Sequence, residues 1–208
     1  MTETRNGKGL LIVVSAPSGA GKTSLCQELT RTLPNLTHSI SYTTRAPRNG
    51  EVNGKDYWFV SVETFEKMVA ERAFAEWARV HQNLYGTALA TLDDMRNKGK
   101  DVILDIDTQG AMQLREKMPD GAYIFILPPS MEILEERLRK RQSDREDEIQ
   151  RRMAKAREEI AAYSSYDYIV VNEEFQTALA ELKAIVTAEK CKVAYINNSW
   201  VDTTFLGG

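Results

Sequence analysis

VVSAPSGAGKTSL, residues 13–25, decides the fold. It opens as the end of an apolar run and closes as the start of a helical pattern, with glycines between. A phosphate-binding loop, GxxxxGK[ST], needs backbone N–H groups turned toward one point, a helix N-terminus behind them and a cation. Gly21, Lys22 and Thr23 satisfy the end of that pattern, but Ala16 stands where it opens on glycine. An alanine there costs little if its φ is negative, and Gly19 adds a second flexible point. The reading is a nucleotide-phosphate site over residues 16–23 (Ala16, Pro17, Ser18, Gly19, Ala20, Gly21, Lys22 and Thr23), against the alternative of an ordinary strand–helix turn. Lys22 then reaches the outer phosphates of the nucleotide, and the Thr23 hydroxyl joins the shell of a Mg2+ ion.

Outward from the loop, LLIVVS at 10–15 is short, β-branched and continuously apolar, as expected of a strand buried on both faces of a parallel sheet. Leu25, Leu29 and Leu33 recur at helical spacing until Pro34 closes the helix. Runs of the first kind return as DVILDID (101–107), AYIFIL (122–127) and YDYIVVN (166–172), each followed by a helix-like segment. Alternating strands and helices predict an α/β fold, a parallel-sheet core with helices on both faces. Between Pro34 and Gly99 the grammar changes. The loop-like YTTRAPRNGEVNGKDYWFV precedes short strands of mixed polarity, DYWFVS and AFAEWARVH, which predicts an inserted mixed α/β module. Beyond Pro128 and Pro129 the chain is charge-dense; Ile149, Met153, Ala156 and Ile160 keep a helical stripe, and it lapses over 142–147 as a hinge. The expected division is a core of 8–34, 100–136 and 153–190, an inserted module of 35–99, a hinged segment of 137–152 and a tail of 191–208.

With 208 residues, 42% hydrophobic and 27% charged, the composition is that of a soluble globular protein. A net charge of −3 argues against a protein built to coat nucleic acid or an anionic membrane. Cys26 and Cys191 have no metal spacing and are too few for a disulfide framework. Arg5 and Lys8 before LLIVV mimic a secretory signal, but the apolar stretch is too short, and no run reaches the length of a membrane span. The expectation is a cytoplasmic protein with neither nucleic-acid nor membrane partners. His38 and His81 lack partner patterns and read as structural or exposed.

Arg45 and Arg48 lie three apart in a polar, glycine-containing segment. Guanidinium forks grip phosphate bidentately, although most such pairs are solvated surface charges. Tyr57 is either core or a donor to the same phosphate. The whole run T-T-R-x-x-R-x-x-E-x-x-G-x-x-Y-x-F, from Thr43 to Phe59, resembles the signature of guanylate kinases. SAPSGAGKTS resembles the loop of bacterial members, alanine included. EWA (76–78), YGT (85–87), LDIDTQG (104–110), FILPPS (125–130) and IVVN (169–172) follow in family order.

The resemblance implies transfer of the γ-phosphoryl of ATP to GMP, with a mobile lid over residues 137–152. It implies Arg45, Arg48, Tyr57 and Tyr85 at the GMP phosphate, and Ser41, Glu76 and Thr87 at the guanine, with Asp105 close by. Guanine presents N1–H and N2–H2 donors beside an O6 acceptor, which a carboxylate and hydroxyls complement. The lid arginines would be Arg137, Arg141 and Arg152. Asp107 either orders Mg2+-bound water or is structural. The family's lid commonly carries an RG pair, whereas Arg141 is followed here by QSDRED (142–147), with Arg145 an added cation. Two rival readings differ in testable ways. A kinase for another acceptor would not need Glu76 with Ser41, and a partner-binding scaffold module would typically lack an intact Lys22 and Thr23.

Overall fold

A computed structural model describes residues 7–80, 82–140 and 145–207. Arg141, Gln142, His81 and Arg5 lie outside the described residues.

The core is a parallel sheet in the order β2-β7-β1-β8-β9. Its centre, β1 (Leu11–Ser15), is buried along its whole length. It pairs with β7 (Asp101–Asp105) on one side and β8 (Ala122–Leu127) on the other. β9 (Tyr168–Val171) and β2 (Leu36–His38) are the edges. Alternate side chains of β1 serve opposite faces, as the twofold period of a strand requires. Ile12 and Val14 pack with Leu25, Leu29, Leu179 and Leu182 of α1 (Lys22–Thr32) and α7 (Phe175–Lys190). Leu11 and Val13 pack with Leu92 of α3 (Leu89–Asn97) and with Ala111 and Leu114 of α4 (Thr108–Lys117). The apolar run of β1 from Leu11 to Val14 thus follows from its position between two helical layers.

The smaller sheet, in the order β4-β3-β6-β5, is mixed. β3 (Tyr42–Thr43) and β4 (Trp58–Phe59) run parallel, while β6 (Asn83–Ala88) is antiparallel to both β3 and β5 (Phe74–Val80). Its own core is Phe65, Phe74 and Leu84, covered by α2 (Val62–Ala70). One segment crosses the expected boundary. Leu36–His38 falls within residues 35–99, yet it is an edge strand of the parallel sheet. Only Leu36 of its three residues is buried, so no apolar run marks it in the sequence.

α5 (Met131–Lys140) and α6 (Glu146–Ala161) pack through Leu134, Leu138, Ile149, Met153 and Ala156. Ile149, Met153 and Ala156 of the helical stripe read from the sequence form this seam, whereas Ile160 is half-buried and outside it. After α7 the chain turns through Val193–Tyr195 into α8 (Asn198–Val201). No helix among the described residues is long and apolar enough to cross a membrane.

Candidate active site

The loop after β1 leads directly into α1, so the first-turn N–H groups of that helix face the loop's concavity. Gly19 and Gly21 take φ of 100° and 92°, where a side chain is strained. Ala16 is not among the residues with positive φ, which is the condition under which its methyl is tolerated. A β-carbon on Gly21 would stand 2.3 Å from Nδ2 of Asn172, which donates to the Ala20 carbonyl at 2.7 Å. The buried Asn172 therefore braces the loop from β9's end, and Arg137 donates to its carbonyl at 2.9 Å.

A cleft of about 350 Å3 opens over this loop. Ala16, Pro17, Ser18, Gly19, Gly21, Lys22 and Thr23 line it, with Asp105, Asp107 and Arg152 opposite; Ala20 is buried beneath. Lys22 forms an ion pair with Asp105 and donates to the Ile106 carbonyl at 2.9 Å. The Thr23 hydroxyl donates to Asp105 Oδ2 at 3.2 Å. Asp107 has a structural partner, because it caps α4 by accepting from the Gly110 N–H at 2.8 Å. Arg152 donates to the Ser18 hydroxyl at 2.9 Å. Lys155 and Glu159 of α6 also line this cleft, and burial raises the Glu159 carboxyl above its usual range.

A second cleft, of about 280 Å3, is lined by Ser41, Tyr57, Glu76 and Tyr85 together with Lys22, Asp105 and Asp107. Glu76 is 4% exposed. Its Oε1 accepts from the Thr87 hydroxyl at 2.6 Å, and Ser41 lies 3.4 Å from Thr87. Burial pushes the Glu76 carboxyl up to about 7; the Thr87 hydrogen bond opposes this, and the Asp107 charge adds to it. Arg45 and Arg48 lie outside this cleft's lining. The Arg45 guanidinium pairs with Glu51 at 2.8 Å and lies over the rings of Tyr57 and Phe59. Arg48 is exposed, and its backbone N–H donates to the other Glu51 oxygen at 2.7 Å. Glu51 thus organises the arginine loop, a role signalled by the glutamate inside the quoted run. Gly110 and Asn172 close the quoted runs LDIDTQG and IVVN, but their roles were not readable there, and Glu159 had no signal at all.

Among the described residues no cluster of three or more His, Cys, Asp or Glu side chains forms a preassembled metal centre. The Thr23 hydroxyl and the Asp105 and Asp107 carboxylates do share one cleft. Such hard oxygen donors suit a Mg2+ ion whose remaining ligands are phosphates and water.

The guanylate kinase family model matches residues 8–189. A guanylate kinase of Syntrophotalea carbinolica is 56% identical over 190 residues, covering 91% of this chain and 90% of that protein. One from Geobacter metallireducens is 55% identical, with 89% and 91% covered. The crystal structure of guanylate kinase from Anaplasma phagocytophilum superposes with a TM-score of 0.78 at 33% identity, covering 98% of each chain. By its loop, its arginine segment and these relatives together, the chain belongs to the guanylate kinase family.

Proposed function

We infer that this chain carries out the reaction of its family, ATP + GMP giving ADP + GDP, with the two clefts as donor and acceptor sites. The observation that carries the division is that the clefts share Lys22, Val80, Asp105 and Asp107. Two ligands lying in them meet at Lys22.

The ATP triphosphate follows residues 16–23, with Lys22 on its outer phosphates and Arg152 closing from α6. GMP lies in the second cleft, its base against Glu76, Thr87 and Ser41 and its phosphate toward Tyr57, Tyr85, Arg45 and Arg48. Arg137, expected among the lid arginines over the phosphoryl, is not among the residues lining either cleft; bonded to the Asn172 carbonyl, it supports the loop through Asn172. A GMP phosphate oxygen attacks the γ-phosphorus in line, a P–O bond forms, and the bond to the β–γ bridging oxygen breaks to release ADP. The acceptor is already an anion, so no general base is required; catalysis is alignment and charge neutralisation. Thr23, Asp105 and, through water, Asp107 would hold a Mg2+ ion, which supplies positive charge to the outer phosphates.

A bisubstrate mimic, adenosine and guanosine joined by a polyphosphate, tests the arrangement. It should compete with both ATP and GMP and bind more tightly than either nucleotide. Competition with only one of them would show that the clefts do not act together.

A further inference from the structure

Glu76 sits on β5, an edge strand of the smaller sheet, whose outer side has no strand neighbour among the described residues. The β5–β6 register shifts between Phe74 and Glu76, so the ladder is irregular at the residue whose direction matters most. A bulge re-aims a side chain and leaves backbone groups unpaired. In place of a strand, the outer edge meets α4. Gln113 Oε1 accepts from the Trp77 N–H at 3.2 Å, and its Nε2 donates to the Trp77 carbonyl at 2.9 Å. The side-chain amide thus makes both bonds that a neighbouring peptide group would make. One turn further, Lys117 Nζ donates to the carbonyls of Phe74 at 3.0 Å and Ala75 at 2.8 Å. These four bonds flank Glu76 on both sides.

Gly110, on the same helix face, leaves the room that the carboxylate occupies: a β-carbon there would stand 2.5 Å from Glu76 Oε2. Positions 110, 113 and 117 follow the i, i+3, i+7 spacing of one face. α4 is itself anchored, because Ala111 and Leu114 are buried in the parallel-sheet core together with Ala75 of β5.

We propose that Gln113, backed by Lys117, is a positioning residue for base recognition, substituting for a missing strand and thereby setting where the Glu76 carboxylate points. This rests on the reading that Glu76 contacts the guanine.

The test compares Gln113→Met, which keeps the length and loses both bonds, with Glu76→Gln and with the double variant, in steady-state kinetics on GMP, AMP and ATP. Gln113→Met should raise KM for GMP by about tenfold, the loss expected for two neutral hydrogen bonds. KM for ATP and kcat should stay within about twofold, since nothing in the donor cleft changes. In the Glu76→Gln background the same substitution should add less than about twofold, because residues acting through one group are not additive. Lys117→Met should shift KM for GMP in the same direction and provides the comparison if Gln113→Met folds poorly. An unchanged KM for GMP, a parallel rise for ATP, or an undiminished effect in the double variant would overturn the proposal. Wild-type preference for GMP over AMP in Glu76→Gln alone would instead remove the Glu76 reading, and this proposal with it.

Discussion

Glu76 combines two demands on a carboxylate. Burial favours its protonated form, and guanine, offering two N–H donors, favours the ionised one. With the carboxyl at about 7, GMP bound as proposed should expel a proton at and below neutral pH. Thus kcat/KM for GMP should fall as pH drops below about 7, and Glu76→Gln should lose that component while the titration of the GMP phosphate remains. Stability follows with its own sign. The folded value is raised from the ordinary 4.5, so the neutral side chain's contribution is full below pH 4.5 and is lost as pH rises through 7. Glu76→Gln should therefore gain stability relative to the parent between pH 5 and 8, read from urea midpoints. Parallel midpoints across that range would mean Glu76 is ionised throughout. At the donor site, Lys22→Ala removes the charge shared by both clefts and should lower kcat on the order of a hundredfold or more without unfolding. Ala16→Gly should stay within a few-fold, as its backbone carries no strain to relieve. Arg45→Lys keeps the charge but loses the planar guanidinium that bonds Glu51 and the Ala46 carbonyl at once and lies over Tyr57. It should weaken GMP by about tenfold and leave ATP unchanged.

The α5–α6 pair joins a charged exterior to a buried seam. Leu134 and Leu138 of that seam also reach the phosphate loop, since a β-carbon on Gly19 would stand 3.0 Å from each. Leu138→Ala should therefore cost about 2–5 kcal/mol of stability. It should also raise KM for ATP more than that for GMP, because the cavity opens beneath the donor loop. Backbone exchange over residues 145–152, where α6 begins, should slow when both nucleotides, or the bisubstrate mimic, are bound, as expected of a lid. Unchanged exchange would mark a static surface helix. The elements legible in the sequence were those under the strongest physical constraint. β1, β7 and β8 are read from their buried apolar runs, and α6 from its stripe. β9 has an apolar run too, but as an edge strand it buries only Val170 and leaves Ile169 and Val171 exposed, so the expected burial on both faces does not hold there. β2, β3 and β4 span only two or three residues each, with mixed burial, and are held by neighbours instead of by their own pattern.

At the scale of the molecule, the site joins one contiguous segment to several dispersed ones. The phosphate loop is readable because its eight residues are consecutive and its mechanism demands that order. Glu76, Thr87 and Ser41 come from β5, β6 and the approach to β3, and only the family resemblance grouped them before the fold did. Asn172 on the loop and Gln113 on β5 make contacts between side chain and backbone across long separations, which no local pattern encodes. The central claim is that these parts form one GMP-specific phosphoryl-transfer site. Its most direct test is ADP release from Mg-ATP with GMP, AMP, UMP and CMP as acceptors. GMP should turn over, and kcat/KM for AMP should be lower on the order of 10^4-fold, because adenine leaves the buried Glu76 facing an acceptor. Release with AMP, UMP or CMP as efficient as with GMP, or none with GMP, would contradict the account.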